Sequence, residues 1–316
     1  MRRFIRANKG NGGSLLTVLL TARGDACSDF LMPHFSREVL RLDLDFMHHD
    51  GILWNHRGLS IGERLVPWNS ISALYWRKPS DPIVAALPQL ESFELRQRLH
   101  WFRALSAVAK TLGIWQLVDP LHEYNFPKPL QLMLASRYFR VPQWELSVGR
   151  GASLPSPIVS KAFAPVPVKG DRLLTTNLVR EPSQLDPKFT WFLQSAVGAS
   201  HDATVVFCRG RMWAFVLERP ESADWVDWRL IMSHHLDGAW RSIELPTNVE
   251  ESILKFMKTI GLSYGRLDFL IDRGPTWWFL EVNPNGQFGW LDPQNSRGIY
   301  SAVAAAAECR ENEVDA

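Results

Sequence analysis

The stretch from Gly265 to Asn283 limits what this chain can fold into more than any other. It reads Gly-Arg-Leu-Asp-Phe-Leu-Ile-Asp-Arg-Gly-Pro-Thr-Trp-Trp-Phe-Leu-Glu-Val-Asn. Two apolar runs, 266–271 and 277–282, flank a turn at 273–276, which is the pattern of a β-hairpin. Asp268 and Glu281 are equidistant from the centre of that turn, so strand pairing sets them opposite one another. Directly opposed side chains have Cβ atoms about 4.5–5.5 Å apart. Glu281 and Asn283, two residues apart on one strand, share a face. Their neighbours Leu267, Phe269, Leu280 and Val282 are apolar, as expected of strands buried on both sides. Like charges facing each other in such a setting are destabilising without a counter-ion. Two carboxylates and an amide are hard oxygen donors. They suit Mg²⁺, which typically takes one or two carboxylates plus substrate phosphates. The competing reading is a solvated pair on an exposed strand, and the apolar flanks weigh against it.

A site for magnesium and phosphate calls for lysines upstream. Lys161 lies inside the apolar run 158–163, and Lys128 stands just before a predicted helix over 130–139. A lysine in a buried strand is costly unless paired, so Lys161 calls for an anion, for which a nucleotide phosphate is suited. The alternative for Lys161 is an edge strand with its amine in water. For Lys128 alone the functional and solvated readings weigh equally.

The 316 residues, 46% of them hydrophobic, are enough for two or three subdomains. A formal charge of +2 asks for neither nucleic acid nor membrane as a partner. No run approaches the roughly 20 apolar residues of a membrane helix. Met1-Arg2-Arg3 followed by apolar residues 15–20 resembles a signal peptide, but Lys9-Gly10-Asn11-Gly12-Gly13 separates the two parts and the apolar run suits a first strand. Cys27, Cys208 and Cys309 lack metal or disulfide spacing and read as reduced thiols, which places the chain in the cytoplasm. His48-His49 and His234-His235 are adjacent pairs whose side chains point to opposite faces of a strand, an arrangement poorly suited to sharing one ion.

The pattern predicts an α/β beginning and α+β later parts. A strand over 15–21, a helix over 28–40 with Ser28 or Asp29 as N-cap, and a strand over 39–43 make a parallel unit. Short strands follow at 51–61 and 71–76, then a long helix over 90–113 stopped by Gly113. A boundary at 125–129 precedes the helix 130–139 and the strand 158–163. Residues 164–176 suit a mobile loop, and 185–197 a connecting segment. Strands at 204–208, 212–218 and 227–232, a helix over 249–259 and the hairpin complete the chain. These boundaries divide it into 1–122, 123–197 and 198–316.

At these residues the sequence resembles the ATP-grasp superfamily, and within it the ligases that close rings in microviridin-type peptides, the graspetides. The resemblance is most specific over Gly261-Leu-Ser-Tyr-Gly-Arg-Leu-Asp268 and Phe279-Leu-Glu-Val-Asn-Pro-Asn-Gly-Gln-Phe-Gly-Trp290. It extends to Val39-Leu-Arg-Leu-Asp-Leu-Asp45, Leu74-Tyr-Trp-Arg-Lys-Pro79, Lys128-Pro-Leu-Gln-Leu132, Arg140-Val-Pro142 and Asp227-Trp-Arg229. It implies a three-subdomain ATP-grasp architecture that binds ATP and Mg²⁺. Asp268, Glu281 and Asn283 would hold the metal, and Lys128 and Lys161 the phosphates. Gln194, Ser195 and Val197 would lie along the adenine hinge, and Asp202 at the nucleotide. Arg229, with Lys161, would serve the transferred phosphate and the substrate carboxylate. The resemblance also implies a precursor peptide with a leader segment as partner, an ester or amide crosslink as product, and a homodimer. Two positions depart from the pattern. Ser195 stands where the hinge usually has an acid, and Asp202-Ala-Thr-Val205 has Thr204 where an arginine is usual, removing a positive charge from the site.

Two rivals share part of this reading. One is an ATP-grasp ligase acting on a small amino acid or a protein tail. The other is a binding protein that kept the fold and lost turnover. Trp54, Trp76, Trp144 and Trp228 are candidates for a peptide-binding surface, although tryptophan is more often a core residue. Arg77 and Arg297 are further basic residues open to an acidic substrate.

Overall fold

A computed structural model describes residues 15–22, 25–43, 51–77, 92–120, 126–148, 152–161, 167–168, 172–173, 176–220 and 239–308. The chain divides into two compact units, Met1–Tyr124 with Gln287–Ala316, and Asn125–Gly286.

In the first unit, β1 (Leu16–Thr21) is buried along its whole length. It pairs in parallel with β2 (Val39–Asp43) and β6 (Ile71–Trp76) in the order β2-β1-β6. Between β1 and β2 the helix α1 (Ala26–Leu31) is shorter than the expected 28–40, and its N-cap is Asp25 rather than Ser28 or Asp29. Pro33 gives the reason: it supplies no N–H and restricts the residue before it, so the helix closes as a 3-10 turn at Met32–His34. Residues 39 and 40 go to β2. The segment 51–61 is a hairpin of β3 (Ile52–Asn55) and β4 (Gly58–Ile61), extended by β5 (Arg64–Pro67), which the sequence pattern did not reveal. Helix α2 (Ser92–Thr111) ends before Gly113, which takes the left-handed conformation at φ 70°. Trp76 is fully buried in the core with Phe102 and Leu105, and its Nε1 donates to Gln116 Oε1 at 2.7 Å. It is therefore a core residue and not part of a peptide-binding surface. Arg77 is also fully buried, whereas Arg297 is exposed. Trp54 is half-buried against the same core, and Trp144 is half-buried beside Phe192 in the second unit.

The second unit opens with α3 (Lys128–Ala135), with Pro127 as N-cap and Pro129 in the first turn, where a missing N–H is tolerated. The helix stops four residues short of the expected 139. There the chain turns, Phe139 stacks on Phe279, and the Arg140 carbonyl accepts from Phe279 N–H at 2.8 Å. A four-stranded antiparallel sheet follows, made of β7 (Trp144–Ser147), β8 (Ile158–Lys161), β11 (Asn177–Val179) and β12 (Trp191–Ser195) in the order β11-β8-β12-β7. The segment 185–197, expected as a connection, thus contributes an inner strand. Within 164–176, β9 (Pro167–Val168) and β10 (Arg172–Leu173) form a small ribbon.

A five-stranded antiparallel sheet completes this unit. It contains β13 (Ala199–Cys208), β14 (Arg211–Glu218), β15 (Arg241–Ile243), β16 (Tyr264–Asp272) and β17 (Trp277–Asn283), in the order β15-β14-β13-β16-β17. Arg209 and Gly210, both at positive φ, make the tight β13–β14 turn. Helix α4 (Thr247–Thr259) packs Ile253 and Phe256 into a core with Leu132, Leu267, Phe269, Phe279 and Val282. The expected strand 227–232 lies outside the described residues, as do both histidine pairs, Trp228 and Cys309. Cys27 and Cys208 are buried thiols. Burial pushes the Cys208 thiol up to about 12, against the pull of Arg209 and Arg211. The first unit closes with α5 (Ile299–Glu308), whose buried Glu308 carboxylate accepts the N–H groups of Ser36 and Arg37 at 3.0 and 2.6 Å.

Candidate functional site

The hairpin β16–β17 pairs Asp268 with Glu281 and Arg266 with Asn283. Turn arithmetic alone does not produce this register. Next to the turn, Ile271 faces Trp277 and Phe269 faces Phe279, and an irregularity beyond Phe269 inserts one extra residue in β17. Leu280 and Glu281 thus answer Asp268 together, the two-against-one pattern of a β-bulge. Phe279 and Val282 both stay in the core, while Leu280 lines a cavity and Glu281 joins Asp268.

β17 is an edge strand, and α3 covers its end. The Val282 N–H donates to the buried Gln131 Oε1 at 2.8 Å, which fixes the first turn of α3 beside the hairpin. One turn earlier in that helix, Lys128 Nζ stands 2.8 Å from Glu281 Oε2. Asp268 is held from several sides. Its Oδ1 accepts from Thr204 Oγ1 at 2.8 Å and from Arg266 Nε at 3.1 Å. Its Oδ2 accepts from Arg266 Nη2 at 2.9 Å and from Asn283 Nδ2 at 3.1 Å. Asn283 Nδ2 also reaches Glu281 Oε1 at 3.3 Å, so the amide bridges the two acids. Burial alone would push the Glu281 carboxyl up, but Lys128, Lys161 and Arg266 outweigh it and hold the group well below the usual carboxylate range.

Beside this cluster lies a cavity of about 330 Å³. Lys161, Val159 and Leu178 from one sheet, Leu270 and Leu280 from the other, and the segment Gln194 to Gly198 line it, together with Arg180 and Arg219. Its walls are apolar at Val159, Val197, Leu270 and Leu280, and cationic at Lys161, which also acts on Glu281. Gln194 Nε2 and Ser195 Oγ are buried there without a hydrogen-bond partner, as orphan donors that a bound polar ring could satisfy. Asp202 is buried with Arg219 Nη1 3.7 Å from its Oδ1.

Lys128, Lys161, Asp268, Glu281 and Asn283 are therefore gathered in one place, with Gln194, Ser195 and Val197 on the adjoining cavity. Asp202 lies on the neighbouring strand, and Arg229 is outside the described residues. The sequence reading missed Arg266 and Arg219. The signal for Arg266 was available: it lies two residues before Asp268 on the same strand and therefore on the same face. Two acids at 2.8–2.9 Å from cations, with an amide between them, fit a hard divalent cation flanked by phosphate. Asn283 would offer its Oδ1 to such an ion after a half-turn of the amide. Among the described residues no group of three or more His, Cys, Asp or Glu side chains comes together.

No protein-family model matches the sequence, and no curated protein matches it. Solved structures do. An ATP-grasp ligase of Chryseobacterium gregarium, RiPP-associated and bound to ADP with a leader and core peptide, superposes with a TM-score of 0.76 at 18% identity, over 93% of this chain and 96% of its own. The fold is the ATP-grasp fold. The macrocyclase MdnC of Microcystis aeruginosa MRC, bound to its precursor peptide MdnA, gives 0.76 at 19% identity over 93% and 99%. The ATP-grasp ligase PsnB, complexed with a phosphomimetic variant of a minimal precursor, Mg and ADP, gives 0.69 at 15% over 93% and 97%. The hairpin, the helix α3 and the strand β12 thus belong to an ATP-grasp fold. No helix among the described residues is long and apolar enough to cross a membrane.

Proposed function

We propose that this protein is an ATP-dependent carboxylate ligase that crosslinks a ribosomally made precursor peptide through an ester or amide. The observation that carries this reading is the register pair Asp268–Glu281, with a lysine on Glu281 and a cavity opening from Lys161. ATP would take the cavity, with its base against Gln194, Ser195 and Val197, Asp202 nearby, and its phosphates toward Lys161 and Lys128. Asp268, Glu281 and Asn283 would hold Mg²⁺, which supplies charge neutralisation to the phosphates when bound.

A peptide side-chain carboxylate attacks the γ-phosphorus, the bond to the β–γ bridging oxygen breaks, and ADP leaves with that electron pair. A hydroxyl or amine of the same peptide then attacks the acyl carbon. Phosphate departs, and the nucleophile loses its proton. The chain's own work is positioning and neutralisation: Lys128 and Lys161 hold the phosphates, and Arg229 is assigned to the substrate carboxylate. Such groups each typically account for roughly 10²–10³ in rate. The segment 164–176 is assigned as a cover that keeps water from the acyl phosphate. Residues 1–122, 123–197 and 198–316 are assigned as the three subdomains, and a cytoplasmic homodimer as the working form.

Calorimetry with ATP and ADP, with and without Mg²⁺, tests the site. Wild type is expected to bind nucleotide in a Mg²⁺-dependent way that the double variant Glu281→Ala, Asn283→Ala loses. Mass analysis of precursor peptides, expected to lose one water per crosslink, then tests the acceptor. A folded wild-type protein that binds no nucleotide would overturn the ligase reading.

A further inference from the structure

The two acids of the site are not neutralised alike. Glu281 takes its cation from a helix, as Lys128. Asp268 takes its cation from its own strand, as Arg266, whose guanidinium spans both carboxylate oxygens at 3.1 and 2.9 Å. A fork on both oxygens fixes the plane of the carboxylate as well as its charge. Arg266 is 13% exposed at its side chain, so this is a largely enclosed contact that still has an opening.

The surroundings are shaped to keep the guanidinium there. The turn after Asn283 brings Gly286 against the root of the Arg266 side chain, where a Cβ on residue 286 would lie 2.4 Å from Arg266 Cβ. That turn is fixed by the Gly286 N–H donating to Asn283 O at 3.0 Å and by Tyr264 Oη donating to Gly286 O at 2.6 Å. Tyr264 is fully buried. On the neighbouring strand, Thr204 is in register with Asp268, and Val206 with Arg266. Positions 204 and 266 are thus diagonal neighbours across β13 and β16, on the face that carries Asp268. The register would let an arginine at either position reach Asp268. This chain has the hydroxyl of Thr204 at one position and the guanidinium at the other.

We propose that Arg266 is the positioning residue of the Asp268 metal ligand. It would hold the Asp268 carboxylate, from two residues away on β16, in the plane from which it takes Mg²⁺. This inference rests on the nucleotide-and-magnesium reading of the site. Outer partners of a metal ligand typically change metal affinity by about 10–100-fold when removed.

The test measures ADP binding by calorimetry across a Mg²⁺ series for wild type, Arg266→Ala, Arg266→Lys, and Arg266→Ala combined with Thr204→Arg. Thermal unfolding of each variant checks folding. Arg266→Ala is expected to need about 10–100-fold more Mg²⁺ for half-maximal ADP affinity. Arg266→Lys recovers part of the loss, since it restores the charge without the fork. The combined variant recovers most of it, because its guanidinium comes from the diagonal position. An unchanged Mg²⁺ response in Arg266→Ala overturns the proposal. So does a combined variant that folds like wild type and shows no recovery. If wild type binds ADP with a Mg²⁺ response and only these variants disagree, the ligase reading stands and Arg266 is merely structural. If wild type binds no nucleotide, both fall.

Discussion

Each unit of the molecule places a carboxylate beside an arginine, on different terms. In the first unit Arg77 Nε lies 3.5 Å from Asp25 Oδ2, with the two side chains 0% and 5% exposed. Asp25 Oδ2 also accepts from Ser28 Oγ at 2.5 Å and Thr21 Oγ1 at 3.2 Å. In the second unit the contacts are shorter, 2.8 Å for Lys128–Glu281 and 2.9 Å for Arg266–Asp268, yet more open to solvent, with side chains 13–32% exposed. A pair sealed from solvent cannot turn to water, so removing one member leaves the other's charge in a low-dielectric interior. An open pair can exchange its partner for a solute ion. The first arrangement serves architecture, and the second can serve binding.

The largest expected effect falls on the sealed pair. Arg77→Met should lower the stability of the first unit by about 3–5 kcal/mol in denaturant unfolding, with Asp25→Asn in the same chain restoring part of it. A loss below ~1 kcal/mol would show that Asp25 finds water, and the contrast would collapse. Next comes Asp268→Asn, which keeps the shape of the open site. ADP release in the presence of an acceptor peptide should fall roughly 10²–10³-fold, with the melting temperature nearly unchanged. A variant that instead melted early would place Asp268 in the sealed class. Gly286→Ala should be intermediate. The Cβ pressed on Arg266 should cost about 1–3 kcal/mol, as other overpacked sites do, and should weaken the Mg²⁺ response of ADP binding. The smallest effect belongs to a fully open pair. Lys255 Nζ to Glu251 Oε2 is 3.4 Å on α4 with both side chains at least 60% exposed, and Lys255→Ala should change stability by no more than about 0.5 kcal/mol.

Some of this site was legible in the residues before any fold was known. The alternation of Leu267, Phe269 and Val282 with Asp268, Glu281 and Asn283 can satisfy a buried sheet only with the acids on one face, so the hairpin and its polar face follow from side-chain period. Gly113, Gly210 and Gly261 ended their elements as residues free to take positive φ. The exact pairing was reached by compensation: the true turn closes through Asp272 N–H to Thr276 O, one residue shorter than supposed, and the bulge at Leu280 restores Asp268 to Glu281. Helix lengths went wrong where prolines or long-range contacts intervened, as at Pro33 and at Phe139, which leaves α3 to stack on Phe279. The strand β12 looked like a connection because Gln194 and Ser195 break its apolar run, yet Gln194 is buried between β7 and β8.

Local sequence therefore determined which chemistries the chain could offer: two acids and an amide on one strand pair, and lysines in apolar surroundings. Tertiary structure alone decided which cations meet which acids. Lys128 reaches Glu281 because Gln131 ties α3 to β17 across 151 residues of chain. Arg266 holds Asp268 because the turn at Gly286 and the register with β13 leave its side chain that place. Periodicity fixes the face a side chain takes within its own strand. The partner on that face is set by contacts far apart in sequence, and no local pattern encodes those.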